Sequence, residues 1–387
     1  MNVFKPSETQ EKQFKHLLHS YHENSQPSSE GEAMQHLLMT RFYGQKIMGS
    51  SSKAYTKVKN IPFSRELEPT KVGYTYQELL NLPIQNVRMA MAAYRFHPEL
   101  ELILGNIEDC ISKSQYLTHH LARLDEIEKS INCLRTQVRH PKFIIQQHTW
   151  DEACKVSKAG CLSLLTDGMR QHYAVQVLAL EINQYDAIAS NQVAALPVVH
   201  AGSTTVNLVN LEKPRLKALT YFFARLEHEL LDQRLLGYYY DTGYEHGKGL
   251  YHRIHLVLKH DQDSEYLIPE NMGDIRRCWH KSVVDSKQAD TTQIYQLKSV
   301  GLMRNGDVDK LNEFKAELSV LMSRLHYRQY ESSVFTSGFL VYRSSLLKSK
   351  SSGGKSRKTD TTKPDSTKPD SELKPVGHGL LSVVRAA

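Results

Sequence analysis

The chain has 387 residues, of which 40% are hydrophobic and 24% charged, with a formal net charge of +7. This suits a folded protein of one or two domains, and the absence of any run of about 18 apolar residues argues against a membrane span. Five irregularly spaced cysteines without a CxxC pair, and an N-terminus without the apolar core of a signal peptide, point to free thiols in a reducing cytoplasm.

Residues 1–70 read as a polar, partly mobile segment. Lys12 to Tyr21 suits a short helix, Ser25 to Glu32 a loop, and Met34 to Met48 a helix carrying Leu37, Leu38, Phe42 and Ile47. Residues 71–165 read as a helical region: Tyr76 to Leu82, Gln85 to Arg95, Glu101 to Cys110 and Ser112 to Val138, the last ended by Pro141. A further helix is expected over Trp150 to Leu165.

Residues 166–348 read as an α+β domain. Tyr173 to Ile182 is apolar enough for a central strand. Gln184 to Thr205 is loop-like, and Lys213 to Gln233 is an amphipathic helix entered at Pro214. Leu235 to Asp261 reads as a hairpin, with Gly247 and Gly249 supplying the turn. Met272 to Val284 suits a helix, Thr292 to Leu302 a strand, and Lys310 to Tyr330 another helix. The fold class expected is α+β: an antiparallel sheet with a central hairpin, covered by helices on one face and preceded by a mainly helical N-terminal region. Residues 349–387 form a basic Lys/Pro/Asp/Ser tail, with Thr362-Lys-Pro-Asp-Ser366 repeated at once, and are expected to be disordered.

The hairpin gathers the residues with most chemistry: Glu245, His252 and His255. In a regular strand His252 and His255 face opposite sides. A bulge near Gly249 to Arg253 would bring them together with Glu245 into a set suited to a divalent ion. The competing reading is a surface His252 and a half-buried His255. Arg253 and Lys259, with Lys348 and Lys350 at the start of the tail, are candidates for phosphate contacts. The chain has no phosphate-binding Gly-x-x-x-x-Gly-Lys-Ser/Thr loop and no Cys/His ladder of a zinc finger.

Gly249-Leu-Tyr-His-Arg-Ile-His-Leu-Val-Leu-Lys-His-Asp261, preceded by a strand and a long helix and followed by the Trp279 helix, resembles the C-terminal domain of the inovirus gene-2-product / YagK–YfjJ family. That family resembles rolling-circle replication initiators of the His-hydrophobic-His endonuclease class. The resemblance covers roughly Met169 to Lys350. It implies a cytoplasmic, phage- or prophage-type initiator that binds single-stranded or origin DNA, alongside replication proteins of the host. It also implies Mn²⁺- or Mg²⁺-dependent nicking by a tyrosine nucleophile. Two departures stand in the sequence. Arg253 occupies the place of one histidine, and Ser345 that of the tyrosine, leaving Tyr327, Tyr330 and Tyr342 as substitutes. A DNA-binding regulatory protein with a decayed site, and an interaction protein that binds no nucleic acid, are the alternatives.

Overall fold

The computed structural model describes residues 29–57, 67–184, 204–231, 234–245, 249–260, 271–286, 292–332, 334–335 and 339–347. The tail expected to be disordered, with Lys348 and Lys350, lies outside the described residues, as does the helix expected over Lys12 to Tyr21.

Helix α1 (Ser29–Met48) starts five residues before the periodic stretch. The antiparallel pair β1 (Tyr55–Lys57) and β2 (Leu67–Pro69) follows. Thr70 then caps α2 (Lys71–Leu80), its hydroxyl accepting from the Gly73 amide. After α3 (Ile84–Ala90) the chain leaves helix early. Tyr94–Phe96 forms β3, because it pairs with β8 (Arg328–Tyr330) from the far end of the chain. Helices α4 (Pro98–Gln115), α5 (His120–Gln137) and α6 (Pro141–Gln171) complete this half. Prolines open α4 and α6, where the missing N–H has no helical partner to lose. Pro141 thus marks the start of a 31-residue helix, where the sequence suggested only a stop.

The second half runs β4 (Ala174–Gln184), α7 (Thr204–Arg225) with a π-helical end at Leu226–Leu230, β5 (Leu235–Glu245), β6 (Gly249–His260), α8 (Asn271–Asp285), β7 (Thr292–Arg304), α9 (Val308–Tyr327), β8 and β9 (Leu340–Arg343). Pro214 lies inside α7 rather than at its entrance. The main sheet has the order β7-β4-β6-β5-β9, with every neighbouring pair antiparallel. Its β4-α7-β5-β6-α8-β7 portion is a split βαβ arrangement of the ferredoxin-like kind. The hairpin strand β6 is the central one.

Alternation along the strands separates two cores. On the first face Leu180, Ile254, Leu256 and Tyr238 meet Leu219 and Phe222 of α7 and Ile275 and Trp279 of α8. The same cluster runs on into the N-terminal helices through Leu37, Tyr76 and Leu104. On the second face Val175, Val257, Tyr239 and Met303 meet Leu164 and Leu165 of α6 and Phe314 and Leu318 of α9. The α+β class and the central hairpin are as expected, and the helical cover extends to both faces. The expected boundary between residues 165 and 166 falls within α6, so these halves are joined by a continuous helix as well as by a shared core.

Candidate functional site

The hairpin strand is regular where the metal reading needs a bulge. Glu245 pairs with Gly249, Thr242 with His252 and Asp241 with Arg253 without a break; the register shift falls at Leu235/Gly237. Gly249 takes a φ of 76°, the left-handed conformation expected of a turn glycine. His252 therefore points into the first core and His255 into the second. The His252 Nδ1 lies 3.0 Å from the Thr242 hydroxyl, and its ring lies 5.2 Å from that of Phe335. The His255 ring stacks on Tyr239 at 4.6 Å with a 7° tilt. A single ion held by both imidazoles does not form, and the donor set expected of the hairpin does not fit a metal.

Burial sets the charge state of both rings. It holds His252 well below the usual imidazole range, with the Arg215 guanidinium adding to the effect. It pushes His255 down to about 3, with Arg253 adding to it. Both are neutral at pH 7. His252 is no surface residue: it is fully buried.

Arg253 shares the second face with His255. Its Nε donates to Glu181 at 2.9 Å, its guanidinium lies over the Tyr251 ring at 4.8 Å, and it is only 14% exposed. Burial works against its charge, but Tyr251, Asp241 and Glu181 outweigh that and hold the proton more tightly than usual. Burial raises the Asp241 carboxyl, against the pull of Arg253. Arg253 is thus an internal counterion for cross-strand carboxylates, not the phosphate contact expected of it. Lys259, half-buried, pairs with Val175 across the sheet, and its amide donates to the Arg234 carbonyl at 2.7 Å.

The candidate nucleophiles lie elsewhere. Tyr330 is buried and donates to Glu212 at 2.6 Å; burial and that carboxylate both raise its pKa, which opposes phenolate formation. Tyr327 ends α9 under the Arg41 guanidinium, 5.0 Å from its ring. Tyr342 stacks on Tyr238 and donates to Glu227 at 2.6 Å. Ser345 sits in an exposed turn after β9, not in the late helix the resemblance implies.

A different set of side chains does converge. His97 at the start of α4, Asp151 in α6 and His326 near the end of α9 place one nitrogen or oxygen each within 4.8 Å of one another, so the group can hold a metal ion. Asp151 Oδ1 lies 3.4 Å from His97 Nε2 and 3.4 Å from His326 Nδ1. The two rings are 4.7 Å apart. The His97 amide donates to the Tyr327 carbonyl at 2.9 Å, and Trp150 Nε1 donates to the His326 carbonyl at 2.9 Å. Burial lowers both histidines, so each is neutral at pH 7. Burial alone would raise the Asp151 carboxyl, but the two histidines outweigh it and keep it below its ordinary range.

This group escaped the sequence reading because its members have no common spacing. Its one local sign is the His97-Pro98 pair, a helix start at which His97 Nδ1 accepts from the Glu99 amide at 3.2 Å. None of the protein families, curated proteins or solved structures compared with the chain matches it.

Proposed function

We propose that this is a DNA-binding protein of the mobile-element replication type, built on an initiator-like core that lacks nicking chemistry in its hairpin. The observation that carries the loss of nicking chemistry is the Arg253–Glu181 ion pair in the central strand of a split βαβ sheet, while DNA binding rests on the family resemblance and on exposed cations. The core has the element order that the family resemblance implies, and the position that should offer an imidazole to a metal holds a neutralised guanidinium instead. Among the described residues, His252 lies on the opposite face of the hairpin from His255, and Tyr330 is tied to Glu212, which supports a core without nicking chemistry. Mn²⁺ or Mg²⁺ belongs to the nicking alternative alone, since phosphate contacts need no metal.

Exposed cations supply the binding term. Lys213 and Lys217 on α7, and Arg276, Arg277 and Lys281 on α8, stand at the surface of two helices joined by Phe222 against Trp279 and by Arg225 to Ser282. Such a surface grips phosphates without reading sequence, and its affinity falls with salt.

The test is an anisotropy titration with single- and double-stranded oligonucleotides over a salt series, beside a nicking assay with Mn²⁺. Five phosphate contacts give a log–log salt slope of about −3.5 on single strands, and Arg276→Glu/Arg277→Glu/Lys281→Glu should flatten it by about 2. Absence of binding at low salt refutes the DNA reading. An unchanged slope in the triple variant refutes this surface. A metal-dependent nick that disappears in His255→Ala restores the endonuclease.

A further inference from the structure

We propose that His97, Asp151 and His326 bind one transition-metal ion of the Zn²⁺ class, which braces the N-terminal helices against the end of α9. The inference is independent of DNA binding and of the hairpin.

Distance and donor type carry it. Zinc bonds to imidazole nitrogen and carboxylate oxygen are about 2.0–2.1 Å, so neighbouring ligand atoms on a tetrahedron stand about 3.3–3.4 Å apart. Asp151 Oδ1 is 3.4 Å from each imidazole nitrogen, which matches two edges of that tetrahedron, and all three donor atoms lie within 4.8 Å of one another, a spacing that side-chain rotation can close around an ion. Two imidazoles and one carboxylate are borderline donors that favour Zn²⁺ or Co²⁺ over Mg²⁺. Among the described residues no other three His, Cys, Asp or Glu side chains meet this way.

The surroundings suit an ion. His97 is fully buried, whereas Asp151 is 31% and His326 27% exposed, so solvent reaches one side of the group and a water can complete the shell. Arg41, whose charge is felt at the group, is paired with Glu99 at 2.8 Å. The His97 amide bond to the Tyr327 carbonyl and the Trp150 indole bond to the His326 carbonyl hold the main chain of two ligands in place before an ion arrives. The ligands come from three elements far apart in the chain, so one ion would staple them together.

Loading has an internal cost that gives it a signature. A ring that binds metal through Nε2 carries its proton on Nδ1. In His97 that nitrogen accepts the Glu99 amide. Metal binding therefore moves the proton from Nε2 to Nδ1 and breaks the cap of α4.

Chelator-stripped full-length protein would be titrated with Co²⁺, then with Zn²⁺ in competition. Expected are one equivalent of Co²⁺ with the intense visible bands of a tetrahedral site, displaced by Zn²⁺, a raised unfolding midpoint, and faster hydrogen exchange at the Glu99 amide. His326→Ala and Asp151→Asn should abolish the bands. His148→Ala, at an exposed histidine of the same helix, should not. Far-UV circular dichroism of the stripped variants separates lost ligands from lost fold. No uptake of Co²⁺, uptake with only weak octahedral bands, or bands that survive both ligand variants in folded protein would overturn the proposal.

Discussion

Replacing His255 with leucine should flatten the acid sensitivity of this protein. The ring is held at about 3 in the folded state by burial, with Arg253 adding to it. In the unfolded chain its pKa is about 6.5. The unfolded state therefore binds more protons between these values, and stability rises with pH. The contribution is fully present above about pH 6.5 and is lost as pH falls toward 3. From pH 7 to pH 5 the unfolded form gains RT ln(1 + 10^1.5), less a small amount already present at pH 7, while the folded ring stays neutral. The loss is about 1.9 kcal/mol for this residue alone. His252, His97 and His326 shift in the same direction, so the wild type loses more in total. The difference between wild type and His255→Leu isolates one ring. Leucine is close in volume and non-titrating, and among the described residues His255 Nδ1 has no hydrogen-bond partner to lose. Urea unfolding at pH 7, 6 and 5, followed by circular dichroism, reads the effect. Equal pH-dependent losses in the two proteins, within about 0.5 kcal/mol, would refute the assignment of His255 as a neutral core residue.

Three further perturbations test the packing around the hairpin. Arg253→Met leaves Glu181 and Asp241 without their shared cation and should cost about 3–5 kcal/mol, with much of that recovered when Glu181→Leu is added; denaturant midpoints measure both. Trp279→Ala removes the ring that meets Phe222 at 5.3 Å and lies under Arg215 at 4.8 Å, and should cost about 3–5 kcal/mol in the same assay. Gly237→Ala drives a Cβ into the Tyr342 carbonyl oxygen, so the β5–β9 pairing must give way. A cost of about 1–3 kcal/mol is expected, with loss of amide protection confined to β9 and its neighbours; a neutral outcome would contradict the close approach.

The sequence contained the core of the second half because its elements are locally encoded. Alternation in Tyr251 to Leu258, near-continuous apolarity in Ala174 to Ile182 and the stripe of Leu216, Leu219, Phe223, Leu226 and Leu230 each depend on residues a few positions apart. The period of two also implied that His252 and His255 face opposite sides of a regular strand, and β6 is regular there. Tertiary structure decided what depends on distant partners. Tyr94–Phe96 and Arg328–Tyr330 carry helical neighbours and become strands only because each supplies the other's hydrogen bonds. The second helical layer exists because α6 and α9 fold back on the same face of the sheet. Arg253 reads as a surface cation in isolation, yet the register sets it between Glu181 and Asp241, where desolvation and opposite charge fix its role. His97, Asp151 and His326 meet only when three helices pack, and no spacing in one dimension encodes a meeting in three.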